Sequence, residues 1–165
     1  MARSVKLWPA IASLLVALML EVLPLPEMLN IWRPPFLTLV LIYWCMMWPS
    51  KIGIITAFFS GLALDILCGS LLGENALALS LVAFLTSRFY LQIRIFPLLQ
   101  LSASVFALLT ISSFVSFWID GIAGLPSTGY SRAFPVITGT LLWPFVMGLM
   151  DRLRYIAENR KSSLF

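Results

Sequence analysis

Histidine is absent from this 165-residue chain, cysteine occurs twice, and charged residues make up only 11%. Each shortage excludes something. Without histidine the chain lacks the usual general base, the commonest metal ligand and the side chain that titrates near neutrality. Cys45 and Cys68 lie in apolar stretches and form no CxxC pair, so they read as small buried residues rather than as a disulfide or metal site. No phosphate loop, zinc spacing, nucleophile elbow or nucleotide-binding fingerprint occurs, and neither a cofactor nor a metal is expected. The scarcity of charge excludes an ordinary soluble domain, in which about 25% of residues would be charged.

What fills the chain instead is hydrocarbon, with hydrophobic residues at 61%. Apolar stretches predict an all-α fold with six transmembrane helices, over 8–23, 35–48, 52–67, 76–89, 95–118 and 134–150. Several are shorter than the ~20 residues that cross a bilayer comfortably, and the second is the weakest. Arg3 and Lys6 before the first apolar run imitate a secretory signal, but no small-x-small cleavage site follows. The run is therefore read as a retained helix, and 1–165 as a single transmembrane domain ending in a short basic tail over 151–165.

Basic residues are retained on the cytoplasmic side of a membrane. With six spans and both termini cytoplasmic, the inner segments hold Arg3, Lys6, Lys51, Arg88, Arg94, Arg152, Arg154, Arg160 and Lys161. Only Arg33 and Arg132 fall outside, and an odd number of spans would put one basic terminus there as well. The positive net charge of +4 is thus a matter of topology rather than of nucleic-acid binding. Trp8, Trp32, Trp48 and Trp118 fall at predicted interfaces, where an amphipathic ring is at home; Trp44 and Trp143 lie deeper. The longest connection, 119–133, contains Gly121, Gly124, Pro126 and Gly129 and reads as an irregular outer loop.

Gly53, Ala57, Gly61, Asp65, Gly69 and Gly73 fall at an unbroken spacing of four. That spacing keeps side chains near one helix face. A ribbon of small residues lets another helix approach closely inside a bilayer, and a carboxylate at such depth is expensive. The expectation is a helix-packing, partner-binding ribbon with Asp65 at the contact; the bland alternative is an Asp that reaches interfacial water. Glu21, one turn from the end of the first helix, is read as solvated. Arg33, before Pro34 and Pro35, either pairs with Glu27, Glu74 or a partner's acid, or snorkels to the interface. Ser102, Ser104, Thr110, Ser112, Ser113 and Ser116 on the fifth helix suit bonds across helix contacts or back to its own carbonyls. Pro144 is expected to bend the sixth helix. Residues 151–161, mixed in charge with Leu153 and Ile156 at helical spacing, suit lying on anionic membrane lipid or docking a cytoplasmic protein.

The chain resembles the MreD family of rod shape-determining inner-membrane proteins. The matching pieces are Leu25-Pro26 and Trp32-Arg33-Pro34, Ile42-Tyr43-Trp44, the block from Gly61 through Asp65 and Gly69-Ser70 to Gly73, and Leu142-Trp143-Pro144 before a basic tail. Length, span count and order agree over nearly the whole sequence, and the central block is the most specific piece. The resemblance implies a non-enzymatic scaffold of the cell elongation machinery that supports lateral peptidoglycan synthesis. It implies binding to MreC and, through the complex, to the penicillin-binding transpeptidase, RodA, RodZ and MreB. The fold is also similar to the substrate-binding subunits of energy-coupling-factor vitamin transporters, which sets up a rival reading as a small-molecule-binding subunit. Against that rival, polar residues able to grip a vitamin are few in the outer halves. An integral-membrane enzyme fits worst, since histidine and a paired acid are missing.

Overall fold

The computed structural model describes residues 7–126 and 129–159, with side chains throughout except at 129, 130 and 159. Among the described residues there are seven helices and no strand: α1 (Trp8–Val22), α2 (Glu27–Asn30), α3 (Phe36–Met47), α4 (Ile54–Cys68), α5 (Glu74–Ile95), α6 (Leu98–Ala123) and α7 (Gly129–Asn159). Proline and glycine set most of the boundaries. Pro9 occupies the first turn of α1, where its missing N–H is no loss. Pro35 precedes α3 and Pro97 separates α5 from α6. Gly69 and Gly124 end α4 and α6 with φ of 66° and 69°, a left-handed conformation that glycine adopts without strain.

Three boundaries differ from expectation. The helix predicted to stop at residue 89 continues to Ile95. Arg88, Gln92 and Arg94 are good helix formers despite their polarity, and Pro97 is the first residue that ends the run. The irregular outer loop expected over 119–133 contracts, because α6 reaches Ala123 and α7 begins at Gly129. The tail is not a separate segment over its described part: α7 runs through Pro135 and Pro144 to Asn159 without a break. The four-residue α2, between Pro26 and Pro34, had no counterpart in the apolar pattern.

α5, α6 and α7 are each long and apolar enough to cross a membrane, over Glu74–Ile95, Leu98–Ala123 and Ser131–Glu158. α1, α3 and α4 are shorter apolar helices. The shortest of these, α3, is the centre of the molecule. Its ten residues from Leu37 to Met46 are all buried, with α1, α5 and α7 packed around it. A helix that is apolar on every side belongs inside a protein. Clad by its neighbours, α3 need not match the thickness of a bilayer, which is why it was the weakest span by length.

Close packing and internal hydrogen bonds, rather than escape from water, hold helices together in lipid. α3 shows both. The Trp44 indole N–H donates to Ser13 Oγ on α1 at 2.7 Å, while Ser13 in turn donates to the Ala10 carbonyl at 2.9 Å. The Trp44 ring lies 4.5 Å from that of Trp48. Ser13→Ala would strand the buried indole N–H. It is expected to lower stability by about 1–3 kcal/mol, measured by thermal unfolding in detergent; an unchanged midpoint would mean that Trp44 finds another acceptor.

Candidate functional site

The ribbon of small residues is two things joined end to end. Ala57, Gly61 and Asp65 lie within α4, Gly53 precedes its first turn, and Gly69 and Gly73 belong to the turn that follows. The helix stops at Cys68, so the six positions do not share one helix face. Within α4, Gly61 faces the chain's own α5. A methyl group built on Gly61 would lie 2.6 Å from Ala76 Cα and 2.7 Å from both Ala76 N and the Asn75 carbonyl oxygen. Only a residue without a side chain leaves room for the first turn of α5 there.

That approach delivers the start of α5 to Asp65. The carboxylate is 1% exposed, so it does not reach interfacial water. One oxygen accepts hydrogen bonds from Ser70 Oγ (2.9 Å), the Asn75 backbone N–H (3.0 Å) and Asn75 Nδ2 (2.9 Å). The other accepts from the backbone N–H groups of Gly73 (2.9 Å) and Ala76 (3.4 Å). The first N–H groups of a helix have no partner within it and carry its positive dipole end. Asp65 satisfies them from eight to eleven residues upstream. Its own carbonyl closes the other side of the turn, accepting from Gly69 and Ser70. Gly73, at φ 101°, completes the reversal.

Two further polar contacts tie helix ends together. Arg33 donates through Nη2 to the Leu20 carbonyl at 3.0 Å and to the Leu23 carbonyl, the unpaired acceptors at the end of α1. Arg33 therefore serves carbonyls, not Glu27 or Glu74. Glu21 is not simply solvated: its Oε2 accepts from the Leu37 N–H, 2.9 Å away, at the start of α3. The end of α1 and the start of α3 thus satisfy each other through one acid and one base.

At the start of α5, the end of α6 and the start of α7, Arg132 pairs with Glu74 at 3.0 Å and with Asp120. The two acids are nearly buried, and one guanidinium holds three long helices. This triad was missed in the sequence. Its members are 12 and 58 residues apart, and the only signal was that Arg132, Glu74 and Asp120 were all expected on the outer side. At the opposite end of α7, Asp151 accepts from the Tyr43 hydroxyl at 2.5 Å and Arg154 lies against Met47 Sδ at 2.9 Å.

Other expectations resolve simply. Trp44 and Trp143 are fully buried, and Trp8, Trp32 and Trp118 are exposed. Cys45 is buried, but Cys68 is exposed at the end of α4, contrary to its reading as a buried residue. Ser104 and Thr110 bond back to their own helix, at Gln100 and Phe106. Arg3, Lys6, Arg160 and Lys161 lie outside the described residues. The polar groups that converge hold helix ends.

The family model for the rod shape-determining protein MreD matches residues 2–153. The chain belongs to the MreD family. It is also similar to the rod shape-determining protein MreD of Haemophilus influenzae, at 31% identity over 153 residues, covering 92% of this chain and 94% of that protein. No solved structure matches it. MreD-family membership and the three long apolar helices make this a membrane protein with a role in rod shape determination. The Gly61–Gly73 block that carried the resemblance is the segment in which Asp65 locks α4 to α5.

Proposed function

We propose that the protein is a non-enzymatic scaffold of the bacterial cell elongation complex. It crosses the inner membrane six times with both termini in the cytoplasm, binds MreC, and through the complex meets the penicillin-binding transpeptidase, RodA, RodZ and MreB. The role is to support lateral peptidoglycan synthesis. The observation that carries this reading is how the polar groups are used. Asp65, Arg33, Glu21 and the Arg132 triad all bond within the chain, fixing helix ends, while broad apolar faces stay open. Ile55 at 74% and Phe59 at 65% exposure stand on the side of α4 away from α5. Such a surface is suited to holding other membrane helices, not to gripping a water-soluble vitamin.

The ribbon keeps a place in this proposal, divided by burial. Ala57, Gly61 and Asp65 act indirectly, by seating α4 on α5. Gly53, Gly69, Gly73 and Arg33, half-buried or exposed, are the members through which a partner is touched. Tagged MreC drawn from membranes is expected to bring the wild-type protein with it, and cells depleted of the protein are expected to lose rod shape. Wild-type protein that leaves MreC behind and instead carries a small water-soluble ligand would sink the scaffold reading in favour of a transporter binding subunit.

A further inference from the structure

A groove of about 540 Å³ runs between α1 and α7 with α3 as its floor. Its walls include Ala12 and Val16 of α1, Val40 of α3, and Val146, Leu149 and Ala157 of α7. The hydroxyl on its wall, Ser13 Oγ, is already engaged with Trp44 and Ala10. Binding pockets for water-soluble ligands place a few free polar groups among apolar ones, and this groove offers almost none. Its lining suits a hydrocarbon.

Along α1 the groove extends from Trp8 to Leu20, about 18 Å at the helical rise of ~1.5 Å per residue, a length along which one extended acyl chain can lie.

Charge distinguishes the two ends. Near Leu20 lies Glu21, beside Arg33, whose Nη2 donates to the Leu20 and Leu23 carbonyls. The other end, with Trp8 and Ile156, lies beside the turn of α7 held by the Tyr43–Asp151 bond. Arg152 there is exposed, makes no ion pair among the described residues, and sits one helical turn from Leu149 and Ile156 on the groove wall.

We infer that the groove binds one anionic phospholipid, an acyl chain lying between α1 and α7 and the headgroup phosphate at the Arg152 end. The binding stands apart from the scaffold reading and from any protein partner. Delipidated wild-type protein in detergent, offered equal phosphatidylglycerol and phosphatidylcholine with the same acyl chains, is expected to retain one phosphatidylglycerol in native mass spectrometry. The preference should be about fivefold or more, the factor expected from one nearby basic residue. Ala12→Phe and Ala157→Phe each fill the groove, at different levels, and should cut retention of both lipids at least fivefold. Arg152→Gln should keep a lipid bound while moving the preference toward parity. If Ala12→Phe does not fold, Ala157→Phe carries the test. Equal retention of the two lipids by wild type, or retention untouched by filling the groove, would overturn the inference and leave only loosely held annular lipid.

Discussion

Gly61→Ala is expected to destabilise the protein by about 3 kcal/mol, the upper end of what overpacking usually costs. The added methyl would meet backbone, not a flexible side chain, at 2.6–2.7 Å from Ala76 and Asn75. To make room, α5 must move away from α4, and its first turn then leaves the Asp65 carboxylate. Two losses follow from one carbon atom: the close helix contact and the cap on α5. The control is Gly148→Ala on α7, where a methyl meets nothing within 4 Å; there, higher helix propensity should be neutral or stabilising by up to about 1 kcal/mol. Thermal unfolding in detergent, followed by circular dichroism, compares the two. If both alanine variants melt like the wild type, α4 and α5 do not approach as closely as described.

Arg132→Ala is expected to cost about 3–5 kcal/mol, because it strands two nearly buried acids, Glu74 and Asp120, each beside the other. The size of the effect comes from the abandoned charges more than from the lost pair. Adding Glu74→Gln and Asp120→Asn to Arg132→Ala should therefore recover much of the stability. Arg132→Lys should recover only part, since one ammonium cannot present the flat fork that reaches two carboxylates. Melting temperatures of the four proteins decide the matter. A neutralised triple variant no more stable than Arg132→Ala would show that shape, not charge, is what Arg132 supplies. Because the triad joins α5, α6 and α7 at one end, the same variants should also reduce rod-shape complementation at matched membrane levels.

The helices were legible in the sequence because their causes are local. Apolar runs needed no knowledge of neighbours, and the six expected apolar helices correspond to α1 and α3–α7, although the fifth, expected from residue 95, begins at Leu98 after Pro97. Errors fell where composition misled: Arg88 and Arg94 looked like a loop yet continue α5, and the glycines near 121–129 looked like a long loop yet interrupt helix only briefly. Asp65 and its spacing of four stood out as well. What the pattern could not say was whether the second helix at Gly61 belonged to this chain or to another.

By itself, the sequence determined that this is an all-helical membrane protein, carried the resemblance to the MreD family, and singled out Gly61 and Asp65. The first rests on composition, the second on the central block and the shorter matching pieces, and the third on small residues at a spacing of four and the rarity of a carboxylate among apolar residues. Only the tertiary structure decided what each polar group serves. Asp65 caps α5, Arg33 and Glu21 join α1 to α3, and Arg132 gathers α5, α6 and α7. The reason is geometric. Low-polarity surroundings make every charge seek a partner, but which partner is within 3 Å depends on how helices far apart in the chain are stacked.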